Sequence, residues 1–340
     1  VDATKNLFIS KKAQLILPSH RLLDAAYEQA KGDKKIGSTL KGIGPTYQDK
    51  IGRLGMRVGD VLRSDFKELY RLRVEEHKKK LTASNYDCDL ESMEGDFWKA
   101  IDFLRTLNLI DSEIYLHDQL DLHIPILAEG AQGALLDIDF GSYPYVTSST
   151  TTAAGACTGL GIAPRHIGEV FGIFKAYCTR VGSGPFPTEL HDALGEELRK
   201  KGSEFGATTG RPRRCGWLDL PALNYAVKLN GVTQLFMMKA DVLNGMDEIK
   251  VCTHYRLPDG SEIDYIPYDL EAEEVTPVYH TLEGWNFDID VTSTITELPD
   301  SFHRYIEFIE DFVKVPINLV SLGPKRKQTL LKEDSLLASG

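Results

Sequence analysis

The sequence predicts an α/β fold in which a mostly parallel central sheet is flanked by helices. Three apolar runs of strand length, at residues 124–133, 234–241 and 316–324, each lead straight into a turn. Continuous apolar runs of this length are typical of strands that are buried on both faces. Helical stretches such as residues 187–202 lie between them. This alternation of strand, loop and helix indicates an α/β architecture.

Ligands of such sheets bind beside the carboxyl ends of the parallel strands. The loops at the ends of the three runs are residues 129–133, 239–241 and 321–324. We therefore expect these loops to converge and to form a binding site.

The N-terminal part of the chain mixes strand and helix signals. Two short apolar runs within residues 6–18 predict strands. Residues 20–32 predict a helix, because apolar residues recur on one face and Gly32 provides a stop. Residues 34–60 are rich in glycine and predict a loop region.

Two further helices are predicted at residues 64–83 and 94–107, where apolar residues recur at helical spacing. They fall in a helical insertion of about 60–115. Because no linker rich in proline, glycine or serine divides the chain, we expect a single domain over residues 1–340.

Composition and charge restrict the possible partners. The chain has 340 residues, with 39 lysines and arginines against 50 aspartates and glutamates, and a net charge of -11. A charge of this sign argues against nucleic acid as a partner. No apolar run reaches the ~18 residues of a membrane span. Five cysteines without a CxxC pair suggest reduced thiols, so a cytoplasmic location is expected.

The first candidate site is the glycine-rich segment 36–60. Its glycines allow exposed N–H groups, Ser38 and Thr39 supply hydroxyls, and Arg53 is one of four cations. This combination suits a phosphate group. A solvated surface loop explains the composition equally well.

The second candidate site spans residues 129–155. Gln132 lies between glycines after the first apolar run, and its amide could contact a base edge. Thr147 opens a run of six serines and threonines that could bind phosphate. A turn amide bonded to its own backbone, and an ordinary polar loop, are the alternatives.

The third candidate site concentrates Arg211, Arg213 and Arg214 in an acidic protein. Arginine forks bind carboxylate or phosphate groups through paired hydrogen bonds. Gly206 and Gly210 flank residues 207–209, just before the arginines, so this loop could close over a ligand. A solvated basic turn, or a basic patch of the nuclear-localisation or nucleic-acid-binding type, is the alternative, although the apolar residues that follow suggest partial burial.

The fourth candidate site is Lys239 with Asp241, directly after an apolar run. An aspartate there could accept both the ring N–H and the amino group of guanine, and a lysine stem could lie along the base. Ser321 and its neighbours would close the other side. A helix-capping aspartate is the alternative.

Together these segments resemble the adenylosuccinate synthetase family, from about residue 1 to about residue 331. Seven segments occur in family order, which makes the resemblance highly specific. They are IGSTLKGIGPTYQDKIGRLGMRVGD (36–60), EGAQGALLDID (129–139), YPYVTSS (143–149), TRVGSGPFPTE (179–189), EFGATTGRPRRCGWLD (204–219), MKADVL (238–243) and SLGP (321–324). The resemblance implies a fold similar to P-loop NTPases and a GTP-dependent ligase that joins IMP and L-aspartate into adenylosuccinate.

The resemblance also implies roles for individual residues. For IMP it implies Thr39, Gln132, Thr147 and Arg211, with Arg53 reaching the IMP of the partner subunit in a homodimer. For aspartate it implies Ala207, Thr208, Thr209, Gly210, Arg211, Pro212 and Arg213. For GTP it implies Arg213, Lys239, Ala240, Asp241, Ser321, Leu322 and Gly323.

In one respect the sequence departs from the family pattern. The family has a Gly-Asp-Glu-Gly-Lys-Gly-Lys phosphate loop and a Gly-His-Thr element, which supply its catalytic Asp and His and its Mg²⁺ contacts. Neither motif occurs in these residues. We therefore expect a chain that lacks its N-terminal strand and phosphate loop, with no catalytic acid or base and no metal ligand assigned within it. A catalytically inactive nucleotide-binding or dimerising module is the alternative function.

Overall fold

The computed structural model describes residues 2–32, 35, 37–86, 89–206, 210–270, 272–289, 292 and 294–332. The chain divides into two compact units, residues 1–166 and 167–340, each with its own core. The single domain over 1–340 stays a prediction. Within the described ranges, no helix combines the length and the apolar character needed to cross a bilayer.

The first unit is mainly helical. Its two short strands, β1 and β2, pair in parallel, with Phe8 opposite Asn108. The helices are α1 (Ala3–Asn6), α2 (Pro18–Ala30), α3 (Ile43–Ile51), α4 (Phe66–Ala83), α5 (Glu91–Leu104), α6 (Ser112–Asp121) and α7 (Ala154–Leu160), and the strands are β1 (Phe8–Ser10) and β2 (Asn108–Ile110).

An aromatic cluster packs α4 against α5 in this unit. The rings of Tyr70 and Phe97 stack at 5.0 Å, and Trp98 meets Tyr70 edge-on at 4.9 Å. Phe66 and Tyr70 are almost fully buried. Aromatic pairs in these geometries contribute beyond the area they bury, so the two helices form a stable pair.

The second unit contains the parallel sheet that the sequence predicts. Its strand order is β12-β11-β7-β3, in which β11, β7 and β3 run parallel and β12 is antiparallel. These strands are β3 (Phe171–Lys175), β7 (Gln234–Met238), β11 (Ile317–Ser321) and β12 (Thr329–Leu331). The predicted strands in 234–241 and 316–324, and the α/β fold class, are confirmed.

Among the described residues of this unit, a second sheet and three α-helices are also present. The order β10-β8-β6 combines an antiparallel and a parallel pair, β9 extends β8, and β4 pairs with β5 as a separate ribbon. The remaining elements are β4 (Cys178–Arg180), β5 (Arg214–Gly216), β6 (Leu218–Asp219), β8 (Glu248–Arg256), β9 (Glu262–Ile263), β10 (Thr276–Glu283), α8 (Ala193–Lys201), α9 (Leu220–Asn230) and α10 (Asp300–Val313).

Several predicted elements are correct, with shifted ends. The helices predicted at 20–32, 64–83 and 94–107 correspond to α2, α4 and α5. The helix predicted at 187–202 is wrong in its first half, because Asp192 caps α8 by accepting from the N–H groups of Leu194 and Gly195. An aspartate in this role defines a helix start.

The prediction of a loop over residues 34–60 is wrong, because α3 lies inside it. Gly42, with a φ of 82°, is the residue before the first turn of α3, and Gly52 ends the helix. Pro45 lies in the first turn, where the missing proline N–H would have no partner in the helix anyway. The glycines that suggested a loop therefore mark the two ends of a helix.

Two predicted strands of the first unit are absent. Residues 124–130 are extended and exposed, with Leu127 82% exposed, and no described strand pairs with them. In residues 14–17 only Gln14 forms an isolated bridge, to Arg57. The chain there turns into α2 instead, since the N–H of Leu17 donates to Nδ1 of His20 at 2.9 Å.

Candidate functional site

Two of the predicted ligand loops meet at one edge of the sheet in the second unit. Lys239 follows β7 and Leu322 follows β11, and these strands are parallel neighbours. Neighbouring strands lie about 4.8 Å apart, so loops 239–241 and 321–324 are adjacent at the carboxyl edge. Loop 129–133 belongs to the other unit and follows no strand. Nothing here supports the prediction that it converges with loops 239–241 and 321–324.

Lys239 has a left-handed backbone with a φ of 62°. This conformation is uncommon for a residue with a side chain, and such residues concentrate at functional sites. Its Nζ donates to the carbonyl of Gly202, and its side chain is 37% exposed. The stem of Lys239 is therefore anchored at its tip and partly open to solvent.

Asp241 is half-buried in the short 3-10 helix Ala240–Leu243 that follows Lys239. Burial raises the pKa of its carboxyl, opposed by its own backbone N–H and by Lys239. Within the described residues, no other residue hydrogen-bonds this carboxylate. A partly desolvated acceptor without a protein partner is suited to a ligand that offers N–H donors.

The turn after β11 is shaped by Gly323. Its φ is 159°, and a Cβ there would lie 2.4 Å from Oε1 of Gln328. Ser321 Oγ donates to the carbonyl of Gly323 at 3.1 Å, and the N–H of the buried Leu322 donates to the carbonyl of Gln328 at 2.8 Å. Only glycine fits this turn without displacing Gln328.

The carboxylate of Glu204 is the shared hydrogen-bond acceptor of the second unit's site. No pattern in the sequence indicated this residue. Its side chain is fully buried. Its carboxylate accepts from Lys175 Nζ at 2.8 and 2.9 Å, from Tyr177 Oη at 2.6 Å and from Arg213 Nη1 at 2.6 Å. Lys239 Nζ lies 3.8 Å away. One carboxylate therefore joins the arginine segment to the sheet edge.

Burial alone would raise the pKa of the Glu204 carboxyl. The hydrogen bonds from Lys175 and Tyr177, followed by Arg213, outweigh it and hold that pKa below its usual range. The pKa of Lys175 is also lowered, mainly by burial. Glu204 is thus ionised at neutral pH in spite of having no exposed surface.

The three arginines of the third candidate site have different environments. Arg213 pairs with Glu204, whereas Arg214 pairs with Glu189 through Nε at 2.8 Å and through Nη2. Arg214 Nη1 also donates to the carbonyl of Gly184 at 2.8 Å. Arg211 is half-buried, and its carbonyl accepts from the N–H of Gly206 at 2.8 Å.

The rest of this loop is only partly described. Ala207, Thr208 and Thr209 lie outside the described residues. Gly210 is exposed, with a φ of 65°, and its N–H donates to the carbonyl of Gly206 at 2.7 Å. Pro212 forms an antiparallel bridge with Phe205. The two ends of the loop are therefore joined by backbone contacts.

In the first unit, carboxylates of α2 occupy the predicted phosphate nest. Glu28 accepts from the N–H groups of Gly37 and Ser38 at 2.5 and 3.1 Å. Asp24 accepts from Ser38 Oγ at 2.8 Å and from the N–H of Gly42 at 2.9 Å. These N–H groups hold the loop in place, so a ligand phosphate would bind to other groups here.

Thr39 and Arg53 lie at opposite ends of α3. Thr39 precedes the helix and is exposed, while Arg53 follows it, is exposed and has a φ of 62°. A helix of nine residues is about 13 Å long. The two residues are therefore separated by at least the length of α3 along the chain.

Asp137 organises the segment that carries Gln132 and Thr147. Its Oδ1 accepts from the N–H groups of Asp139 and Phe140, and its Oδ2 from those of Thr151 and Thr152. Burial would raise the pKa of Asp137, but these four N–H groups outweigh it and lower that pKa. The buried carboxylate thus folds the segment into one compact loop.

Gln132 and Thr147 are held on this loop. Gln132 is exposed with a φ of 65°, and the N–H of Thr147 donates to the carbonyl of Leu136 at 2.9 Å. Ser148 lies close to α3, since a Cβ at Gly44 would be 3.7 Å from its Oγ. The structure therefore brings the start of α3 and the serine–threonine run together, with Thr39 on the adjoining loop.

A buried triad of His20, Asp49 and His77 also lies in the first unit. Asp49 Oδ2 accepts from Nε2 of His20 at 3.0 Å and of His77 at 2.8 Å. Ser19 Oγ is 2.7 Å from Nδ1 of His77. Burial lowers the pKa of His20, and lowers that of His77 to about 4. The triad attaches α3 to α2 and α4.

Across the described part of the chain, this triad is the one group of three His, Cys, Asp or Glu ligand atoms that lie close together. It does not suit Mg²⁺, which prefers carboxylate, carbonyl and water oxygens. Nδ1 of His20 accepts a backbone N–H, so its Nε2 carries the proton and donates to Asp49. We assign no magnesium ligand to the described residues.

Comparison with known proteins places the chain among nucleotide-using ligases. The family model for adenylosuccinate synthetase matches residues 1–330. A curated adenylosuccinate synthetase from Cytophaga hutchinsonii is 61% identical over 340 residues, covering all of this chain and 79% of that protein. One from Flavobacterium johnsoniae is 58% identical over 334 residues, covering 98% of this chain and 79% of that protein.

A solved structure agrees in fold. The fully ligated adenylosuccinate synthetase from Plasmodium falciparum superposes with a TM-score of 0.90 at 38% identity. The match covers 97% of this chain and 78% of that chain.

Proposed function

Because the chain belongs to the adenylosuccinate synthetase family, we propose that its two units carry the binding residues for the three substrates of that ligase. Its function is the GTP-dependent ligation of IMP and L-aspartate on the route from IMP to AMP. GTP phosphorylates the 6-oxygen of IMP. The aspartate amine then displaces that phosphate, which yields adenylosuccinate, GDP and phosphate.

We assign GTP to the sheet edge of the second unit. Asp241 accepts the ring N–H and amino group of guanine, and the stem of Lys239 lies along the base beside Ala240. Ser321, Leu322 and Gly323 pack on the other side. The observation that carries this assignment is the half-buried Asp241 carboxylate, which no other described residue hydrogen-bonds, next to a second loop on the neighbouring parallel strand.

We assign the arginine segment to the substrate anions. Arg213 reaches the GTP phosphates and the aspartate carboxylates, and Arg211 contacts aspartate and IMP. The residues Ala207, Thr208, Thr209, Gly210 and Pro212 form the aspartate loop with them. The support is chemical: two arginine forks on one short segment suit ligands that carry several negative charges.

We assign IMP to the first unit together with Arg211. Thr39, Gln132 and Thr147 contact the nucleotide, supported by the approach of Ser148 to the start of α3. Arg53, at the far end of α3, contacts the IMP bound in the partner subunit of a homodimer. Members of the family bind IMP, GTP and aspartate and are generally homodimeric.

Two further assignments rest on the family. The family generally depends on Mg²⁺, and we propose that this enzyme uses it with GTP in the cytoplasm. The alternative of an inactive module is not favoured, because the whole chain aligns with curated ligases.

Replacement of two IMP contacts tests the assignment. Gln132→Ala and Thr147→Val, measured separately by calorimetric titration, are each expected to weaken IMP by roughly tenfold. The affinity for GDP stays within twofold, a range that corresponds to about 0.4 kcal/mol. Equal loss of both ligands, or no loss of IMP, would contradict the placement of IMP on this loop.

A further inference from the structure

The charges around Glu204 are unbalanced in a way that favours an anion. One fully buried carboxylate faces the cations of Lys175, Arg213 and Lys239. Three positive charges against one negative charge leave these four side chains with an excess of two positive charges, which the Asp241 carboxylate near Lys239 reduces to one when it is ionised. A polyphosphate beside the cluster would balance that excess.

Lys175 uses its full donor capacity within the protein. Its Nζ donates to both oxygens of Glu204 and to Thr179 Oγ1 at 2.9 Å. An ammonium group has three protons, so none remains for a ligand. Lys175 therefore serves to keep Glu204 ionised and in position, at the end of β3.

Arg213 and Lys239 retain donors that Glu204 does not use. Their side chains are 30% and 37% exposed. Arg213 gives one guanidinium N–H to Glu204, and its other guanidinium donors have no partner within the described ranges. Glu204 thus pairs with Arg213 and attracts Lys239 while both side chains stay partly exposed to solvent.

We propose that Glu204 is a positioning residue for GTP, which holds Arg213 towards the phosphates and Lys239 along the base. The backbone supports the same arrangement, because the N–H of Arg213 donates to the carbonyl of Glu204 at 2.9 Å. Because Glu204 itself has no exposed surface, it acts through these two cations and not by contact with the substrate. The inference rests on the proposed GTP site. It adds Glu204 as the residue that links the phosphate side of that site, at Arg213, to the base side, at Lys239.

The test replaces the charge while keeping the shape, in the variant Glu204→Gln. A neutral amide loses the charge-assisted hydrogen bond with Arg213 and the electrostatic attraction of Lys239, whose Nζ lies 3.8 Å from the carboxylate. We expect the Kd of GDP and the KM of GTP to rise by at least about tenfold. The Kd of IMP, measured by the same titration, stays within about twofold. This split between nucleotides is a result that general destabilisation would not produce.

Glu189→Gln is the matched control. Glu189 is another nearly buried carboxylate, and it pairs with the neighbouring Arg214. Its replacement is expected to lower the thermal midpoint of unfolding without changing GDP affinity. An equal loss of GDP affinity in both variants would overturn the specific role of Glu204.

A second comparison separates this inference from the GTP assignment. If Asp241→Asn weakens GDP and Glu204→Gln does not, the GTP site stands and the positioning role is refuted. If neither variant weakens GDP, the GTP assignment itself is refuted.

The charge-balanced pair Glu204→Gln with Lys175→Met covers the case in which the single variant does not fold. It removes the lysine that would otherwise lack its partner. The same selective loss of GDP is expected from it, and unchanged GDP affinity in this folded double variant would overturn the inference.

Discussion

Glu204 and Arg213 are joined twice, through side chains and through the backbone. Arg213 Nη1 donates to Glu204 Oε2 at 2.6 Å, and the N–H of Arg213 donates to the Glu204 carbonyl at 2.9 Å. The next residue, Arg214, is directed to Glu189 instead. Adjacent arginines of one basic segment therefore have separate partners, which implies separate tasks.

Arg214→Ala is expected to destabilise the protein without weakening its ligands. The change leaves Glu189 and the carbonyls of Gly182 and Gly184 without the donors they have now. Because Arg214 is partly exposed, we expect a loss of about 1–3 kcal/mol in the free energy of unfolding, measured by urea titration. Arg213→Ala, the comparison, should instead weaken GDP. A loss of GDP affinity in Arg214→Ala would contradict this division.

Mixed dimers test the role of Arg53 across the subunit interface. Subunits carrying Arg53→Leu are combined with subunits disabled by Arg211→Leu, and each parent is expected to be inactive. Because one of the two sites in a mixed dimer then has both arginines intact, some activity should return. Unchanged inactivity, with subunit exchange demonstrated by a mass tag, would contradict the assignment.

The buried histidines predict a loss of stability in acid. Burial lowers the pKa of His77 from 6.5 to about 4, so the unfolded chain binds a proton more readily than the folded one between these values. Stability from this group is complete above pH 6.5 and falls as the pH drops to about 4. The shift corresponds to roughly 3 kcal/mol.

His77→Gln should flatten this part of the pH profile. The variant lacks the titrating ring but can still offer an amide donor to Asp49. Urea unfolding between pH 4 and 7 measures the effect, with the exposed His117→Gln as control. A slope equal to that of the unchanged protein would show that His77 does not link folding to protons.

The sequence patterns correctly predicted those helices and strands whose own residues favour that structure. The strands β7 and β11 were predicted because they are short apolar runs, which is typical of strands buried in a parallel sheet. The loops that follow them meet at the expected carboxyl edge. The helix α5 was predicted because Phe97, Ile101 and Leu104 repeat with helical spacing. In each case the spacing of apolar residues within the segment is enough to indicate a strand or a helix.

Other features depend on distant contacts and had no local signal. The high glycine content of residues 34–60 predicted a loop and gave no indication of α3. The position of α3 is set by the contacts of Asp49 with His20 and His77. Residues 124–130 have the composition of a buried strand, yet no described strand pairs with them. A strand requires a neighbour as well as a composition.

Glu204 shows the same limit at the candidate site. In the sequence it is one acid before a glycine-rich basic segment. Its function as a hub depends on Lys175 and Tyr177, which lie about thirty residues earlier in the chain. Only the folded sheet brings these groups to one carboxylate.

The most direct test of the account is the base selectivity of Asp241→Asn. The carboxylate accepts the two N–H donors of guanine, whereas an asparagine amide can donate to the carbonyl that xanthine has in place of the amino group. We predict that GTP binding weakens by roughly tenfold to a hundredfold, that xanthosine triphosphate gains affinity, and that IMP binding is unchanged. GTP binding equal to that of the unchanged enzyme would contradict the assignment of guanine to this site.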